Sequence, residues 1–310
     1  MALFNAAELI PTASLKTDLA PDLKNSHSEI ESFNACERLH WYRYGLKVEA
    51  VTPSVHLVRG SIGHAGLAAY YSGIAAGDSH NAAAKRGLDV TSEQLDRVES
   101  LYPGGKLRED IGRTLIAYFK WVEPEASSIQ VLGVEQEFSV RINDSFTLPF
   151  IVDLILRTES GVEAWDHKFV SNFFNPNVLD LTPQLPLYYA GLRMSGYEHF
   201  TVRYNELRYR VTKANTADPE QRFNRPAPRI TPSRILTTME EHIRVGRRIY
   251  RYKQLGVGDW EKEVIRKKNR DCAGCDFAQI CTGELNGESR DLYLGVDYVP
   301  KKRRMSIEPK

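Results

Sequence analysis

Leu148-Pro149-Phe150-Ile151-Val152-Asp153-Leu154-Ile155-Leu156 is a nearly continuous apolar run broken by one carboxylate. After the turn Glu159-Ser160-Gly161 comes Val162-Glu163-Ala164-Trp165-Asp166-His167-Lys168-Phe169-Val170. The first run reads as a central strand and the second as the strand that follows it through a tight turn. A lone aspartate inside an apolar strand is costly to bury unless it is paired or bound to a cation. Asp166 and Lys168 lie two apart, so a strand points both side chains to one face. A hairpin brings that face beside Asp153. Two carboxylates suit Mg²⁺ or Mn²⁺, hard cations that prefer oxygen ligands. A neighbouring lysine can orient a water and help hold it deprotonated. Such a group suits hydrolysis of an anionic diester, where charge neutralisation matters most. Taken alone, D-x₁₂-D-x-K also describes an ordinary Asp–Lys surface pair. The apolar strand and the strand-turn-strand setting give it weight.

Upstream, Leu132, Val134, Phe138 and Val140 alternate with Glu135, Glu137 and Arg141, a half-buried strand. Val202 to Val211 reads as another strand. Helices surround these strands. Ser32 caps one that runs through Phe33, Cys36, Leu39 and Trp41. A second begins near Ser61 and carries His64, Leu67, Ala68 and Tyr71. Thr91 to Trp121 is helical with a break at Pro103-Gly104-Gly105. Thr182 caps a helix with Pro183 in its first position, and Gln184, Tyr188 and Leu192 share one of its faces. Residues 233–256 form a long charged helix. The Pro- and Arg-rich stretch 214–233 reads as a mobile loop. The class is therefore α/β. Gly105-Lys106 lacks the glycine spacing and the following Ser or Thr of a phosphate-binding loop, which argues against an ATP motor.

The chain has four cysteines, Cys36 and a late C-x₂-C-x₅-C cluster of Cys272, Cys275 and Cys281. Four thiolates are what one tetrahedral zinc or one iron–sulfur cluster requires. Three from one short segment and a distant fourth imply that the two ends of the chain meet in a metal-clasped region.

Charged residues make up 26% and hydrophobic ones 42% of 310 residues, an ordinary soluble balance that can fill a sizeable core. Net charge is +1, so bulk charge does not announce nucleic acid, although a local groove can still be basic. The densest basic run, Lys301-Lys302-Arg303-Arg304, reads as a solvated tail. No run of ~18 apolar residues occurs, so no membrane span is expected. The first residues lack a basic start and a long apolar core, which leads to an expected cytoplasmic location with reduced thiols.

Ser32-Phe33-Asn34-Ala35-Cys36-Glu37-Arg38-Leu39, Arg59-Gly60-x-x-x-His64, Val152-Asp153, Asp166-His167-Lys168, Gln184-x-x-x-Tyr188 and the late cysteines occur in one order. In that order the chain, over roughly 30–285, resembles the RecB-like nucleases of the PD-(D/E)xK superfamily. It is similar in particular to their iron–sulfur branch, with the CRISPR-associated exonucleases and the nuclease domain of the AddB helicase subunits. The resemblance implies a restriction-endonuclease-like core, a small central mixed sheet flanked by helices, with a helical iron–sulfur clasp joining the chain ends. It implies an N-terminal arm over 1–30, one nuclease domain over 31–285 with the clasp built from 31–45 and 265–285, and a basic tail over 286–310.

By the same resemblance His64, Asp153, Asp166 and the main-chain carbonyl of His167 are metal ligands for Mg²⁺ or Mn²⁺. Lys168 is the catalytic lysine, and Gln184 and Tyr188 support the site from the substrate side. Glu135 or Glu137 corresponds to an upstream acidic residue. Cys36, Cys272, Cys275 and Cys281 hold a [4Fe–4S] cluster, with zinc as the alternative. Two features depart from the family pattern: Glu37 replaces the usual proline after the first cysteine, and Pro186 falls inside the Gln184–Tyr188 helix. The implied activity is exonucleolytic cleavage of single-stranded DNA or DNA ends in recombination and repair, phage DNA metabolism or CRISPR spacer processing. Its partners would be a helicase, a recombinase or the CRISPR adaptation machinery. The competing readings are a non-catalytic DNA-end or partner-binding module and a structure-selective endonuclease.

Overall fold

The apolar run is the central strand of a mixed sheet. The structure, a computed structural model, describes residues 23–104, 106–143, 145–212 and 221–301. They group into two units. One combines the described residues of 1–27 with Val55–Ile243, and the other combines Ser28–Ser54 with the described residues of 244–310.

The first unit holds a six-stranded sheet: β1 (Leu23–Lys24), β3 (Gln130–Asn143), β4 (Phe146–Thr158), β5 (Gly161–Val170), β6 (Phe200–Arg208) and β7 (Phe223–Asn224). β3 runs antiparallel along one edge of β4. On the other edge β4 meets β1 in parallel at Leu23↔Phe146 and β5 in antiparallel from Leu154↔Trp165 to Thr158↔Gly161. β5 and β6 are parallel, and β7 closes the sheet antiparallel to β6. Val152, Leu154, Ile155 and Leu156 are wholly buried, as expected of a strand covered on both faces.

Helices α3 (Val55–Ala75), α4 (His80–Val98) and α5 (Lys106–Val122) cover the sheet. They bury Leu67, Tyr70, Leu95, Ile111, Leu115 and Phe119 in one core with Leu154, Trp165, Leu207 and Phe223. The short turn α6 (Pro176–Leu179) and α7 (Gln184–Met194) follow β5. α7 packs closely enough that a Cβ on Gly191 would lie 2.3 Å from the Phe150 ring. Among the described residues no helix is long and apolar enough to cross a membrane.

A polar network threads this core. Asn205 Nδ2 donates to the Tyr118 hydroxyl and to His167 Nδ1, each at 2.9 Å, and the Tyr118 and Tyr71 hydroxyls lie 2.7 Å apart. The Arg225 guanidinium lies over both Trp121 and Trp165, 4.4 and 4.1 Å from the ring centres, and pairs with both carboxylate oxygens of Glu125. Burial holds the His167 imidazole neutral, down to about 3. A satisfied network of this kind selects one packing of the core.

The second unit takes residues from both ends of the sequence. It contains α1 (His27–Ala35) after its first residue, α2 (Glu37–His40) with a following π turn Trp41–Gly45, and β2 (Val48–Ala50). From the other end come the last turns of α8 (Pro232–Gln254), then α9 (Val257–Glu263), α10 (Ala278–Leu285) and β8 (Tyr298–Pro300), which pairs antiparallel with β2. Trp41, Tyr42, Trp260, Phe277, Ile280 and Tyr298 form its core.

Several sequence expectations shift. Ser32 does not cap a helix. It lies inside α1, where its hydroxyl donates to the Ser28 carbonyl one turn back, and extended backbone at Cys36 separates α1 from α2. α3 starts at Val55 rather than near Ser61. Pro183, not Thr182, is the N-cap of α7, and Pro186 falls in the first turn, where its missing amide costs nothing. β6 ends at Arg208 rather than Val211. The stretch read as an arm contributes β1 and the start of α1, with 1–22 outside the described residues. The stretch read as a tail contributes β8, and the basic run beyond Lys301 lies outside them, as do 213–220 of the Pro- and Arg-rich loop.

Removing the stacked guanidinium with Arg225→Ala should lower the unfolding free energy by about 3 kcal/mol in urea titrations. Glu125→Gln should cost under about 1 kcal/mol, because that carboxylate is partly exposed.

Candidate active site

The β4–β5 ladder stops at Leu154↔Trp165. The next residues across are Asp153 and Asp166, both nearly buried, at 7% and 3% exposure. Like charges directly opposite one another destabilise a strand pair, and here backbone pairing gives way to a side-chain bond. The His167 amide donates to Asp153 Oδ2 at 2.6 Å. The parting of the strands leaves both carboxylates facing one space.

α3 brings His64 to the same place. Its Nδ1 lies 3.4 Å from Asp153 Oδ2, and its Nε2 lies 2.8 Å from the His167 carbonyl oxygen. The close approach depends on Gly63, where a Cβ would lie 2.2 Å from the Phe169 ring of β5. Gly60, the glycine of the sequence motif, has open space around it. From β3 comes Glu135, held at φ 47°, a left-handed conformation that is strained for a residue with a side chain. Ligand atoms of His64, Glu135 and Asp153 all lie within 4.8 Å of one another. Of the two candidate glutamates, Glu135 therefore reaches the site, while Glu137 pairs across the ladder with Ile151. No sequence signal foretells a left-handed glutamate, so this choice could not be made from the residues alone.

Asp166 is held from two sides. Its Oδ1 accepts from Gln184 Nε2 at 2.6 Å and from the Tyr188 hydroxyl at 3.4 Å, with Gln184 also donating to that hydroxyl at 3.1 Å. Lys168 Nζ sits 2.6 Å from Oδ2 in an ion pair. The Lys168 ammonium also lies 5.5 Å above the Tyr204 ring.

Burial opposes ionisation of Asp153, but His64 and the His167 amide outweigh it and hold the carboxyl at about 2. Burial pushes Asp166 up, and Asp153 adds to that effect while Lys168 opposes it. Burial would lower His64, yet Asp153, Asp166 and Glu135 together raise it to about 9. Burial likewise opposes the Lys168 charge, and Asp166 overrides it, raising the ammonium. At neutral pH the metal-free site thus holds an imidazolium beside the Asp153 carboxylate. An oxygen-rich donor set with one imidazole, in which ligand atoms of His64, Glu135 and Asp153 converge, fits a divalent cation. His64 can offer Nδ1 to that ion while Nε2–H stays on the His167 carbonyl, the usual support for a metal-bound histidine. One lone pair of the carbonyl proposed as a ligand is then already in use.

The cysteines lie in the second unit and are all free thiols. Cys36 Sγ accepts from the Lys267 amide at 3.4 Å, and Cys281 Sγ accepts from Arg266 Nε at 3.3 Å. The Cys272 thiol faces the Lys267 carbonyl at 3.7 Å. Burial pushes the Cys275 thiol up, and Cys36 and Cys272 add to the shift. Among the described residues no three sulfurs come within 4.8 Å of one another.

A divalent ion held by His64 Nδ1 would displace the His64 proton. Below pH 9 its affinity should fall by about tenfold per pH unit, with about one proton released per ion, measurable by calorimetry in buffers of different ionisation enthalpy. The metal-free fold behaves oppositely. Its gain from the raised His64 is complete below the ordinary value of 6.5 and is lost as pH climbs to about 9. His64→Asn should flatten both dependences.

No curated protein matches the chain. Residues 24–282, most of its length, match the family model of the PD-(D/E)XK nuclease superfamily. The mixed sheet flanked by helices agrees with the restriction-endonuclease-like fold of that group. With the acidic pair and the lysine gathered where two strands part, this chain belongs to the PD-(D/E)XK superfamily of metal-dependent nucleases.

Proposed function

We propose that the protein is a Mg²⁺- or Mn²⁺-dependent DNA exonuclease of the RecB-like iron–sulfur branch, acting on single strands or DNA ends. The observation that carries this reading is the strand parting at Asp153 and Asp166, which gathers Glu135, His64 and Lys168 around two carboxylates. His64, Glu135, Asp153 and Asp166 would hold the ion. When bound, it polarises a phosphoryl oxygen and lowers the pKa of water. Lys168 keeps its positive charge beside Asp166 and neutralises charge that develops on the phosphate. Gln184 and Tyr188 fix the Asp166 rotamer, and the His167 amide and carbonyl fix Asp153 and His64. The cellular setting that suits such an enzyme is cytoplasmic DNA repair, recombination, phage DNA metabolism or CRISPR spacer processing, beside a helicase, a recombinase or the adaptation machinery.

Cys36, Cys272, Cys275 and Cys281 would hold a [4Fe–4S] cluster, with a structural role. Two points support it: three of the thiols contact the Arg266-Lys267 segment, and the fourth responds electrostatically to two of them. A single zinc with Zn–S bonds of about 2.3 Å is the alternative occupant of the same four thiols.

End-labelled linear single-stranded DNA should be degraded in Mn²⁺ while a closed circle of the same strand persists. Lys168→Ala and Asp153→Asn should each reduce cleavage about 100- to 1,000-fold without changing the circular dichroism spectrum. Equal cleavage of the circle would make the protein an endonuclease, and no cleavage of either would overturn the reading. For the second site, freshly isolated protein should contain about four irons and four labile sulfides per chain. Replacing any one of the four cysteines by Ala should bleach it. One zinc and no iron would decide for the alternative.

A further inference from the structure

The segment between β5 and α7 takes no part in the chemistry above. It begins three residues after Lys168, runs from Ser171 through α6 to Pro183, and presents large apolar side chains to solvent: Phe174 is 36%, Val178 47% and Leu181 75% exposed. Scattered exposed apolar residues need no explanation. Here they share a short segment that is tied down at both ends. The Phe174 amide donates to Glu206 Oε1 at 2.6 Å. Glu206 is itself fully buried and takes Asn224 Nδ2 on its other oxygen at 3.0 Å. Arg208 donates to the Ser171 carbonyl at 3.2 Å and to Asn172 Oδ1 at 2.9 Å. Arg234 donates to the Leu179 and Thr182 carbonyls at 3.2 and 2.9 Å, and the Arg229 amide donates to Asp180 Oδ1 at 2.8 Å. Burying a carboxylate to hold one loop amide is costly, which makes sense where the shape of the loop matters.

The position of the segment says what it meets. The Phe174 ring lies 5.0 Å from Tyr204, and the Lys168 ammonium lies 5.5 Å above that same ring. A strand whose phosphate sits at Lys168 therefore has its bases within a nucleotide step of Phe174. Arg208, with its guanidinium 5.4 Å from the Phe173 ring, and Arg234, paired with Asp180 at 3.3 Å, place guanidinium groups at the flank of the segment. An apolar, partly aromatic ledge beside cations matches the two faces of a single strand, bases and phosphates. Three side chains are too few for a stable protein interface.

Resting on the nuclease reading of the adjacent site, we propose that Phe174, Val178 and Leu181 form a nucleobase-stacking ledge that makes the enzyme select unpaired strands over duplex. Paired bases are already stacked within the helix and cannot use it.

Two variants in the full chain test this, Phe174→Ala and Leu181→Ser, each read in two assays. In the first, single-stranded cleavage should fall about tenfold through a raised KM, with blunt-duplex cleavage unchanged. In the second, the fluorescence of a 2-aminopurine oligonucleotide, bound in Ca²⁺ to suppress turnover, should be quenched by the wild-type protein and little quenched by either variant. Phe174→Trp should keep both behaviours. Equal losses on single strands and duplex, or undiminished quenching by the variants, would overturn the ledge. If the wild-type protein cleaves neither substrate yet still quenches the probe, the nuclease reading fails and the ledge stands as a base-binding site.

Discussion

The hydrogen bond from the His167 amide to the Asp153 carboxylate is the interaction on which the rest of the site depends. An antiparallel pair would ordinarily continue its backbone ladder past Leu154↔Trp165. Here the next residues across are two aspartates, and continued pairing would press their carboxylates together in a buried place. Asp153 substitutes its own side chain for the missing backbone acceptor. β5 keeps its alignment while the strands part, and the His167 carbonyl turns toward His64. A single exchange of main-chain for side-chain bonding thus opens the site and orients three of its members. The parallel ladder to β6 holds β5 from its other edge, so the opening does not spread through the sheet.

Much of this was legible in the residues. The run from Leu148 to Leu156, the turn at Glu159-Ser160-Gly161 and the Asp166–Lys168 pair describe β4, β5 and their shared face, because strand periodicity and apolar burial are local properties. The Gln184–Tyr188 spacing foretold a helical face, and that face meets Asp166. Other features depend on tertiary contact. Glu135 is distinguished from Glu137 only by a left-handed backbone. Gly63, rather than the motif's Gly60, admits the Phe169 ring, and nothing in the local pattern ranks one glycine above the other. Ser32 has the composition of a cap but lies within a helix that starts earlier, because its hydroxyl finds a carbonyl one turn back. The polar network of Tyr71, Tyr118, His167, Asn205 and Arg225 joins residues from five separate stretches, and each alone looks like ordinary core or surface.

His167 shows how one residue can serve two sides of a sheet. Its main chain faces the carboxylates, whereas its ring stacks 5.9 Å from Tyr71 and accepts from Asn205 on the opposite side. The ring is kept neutral by burial, so it adds no charge to the site. Its place between Asp166 and Lys168 is therefore fixed by packing, and the two charged neighbours are aimed by that packing.

Charge balance explains how such a site persists without its ion. Carboxylates gathered this closely, Asp153 and Asp166 buried and Glu135 exposed, would repel one another. Protonated His64 lies between Asp153 and Glu135, and Lys168 lies against Asp166, so two cations offset them. Were a divalent ion held there with loss of the His64 proton, the net charge of the site would rise by one rather than two. Asp153 and Glu135 would exchange an imidazolium for the ion, while Asp166 keeps Lys168. Reorganisation at the moment of binding is then small. The strained backbone at Glu135 costs folding energy and sets that carboxylate beside His64 and Asp153, which would spare a bound ion the cost of gathering its ligands.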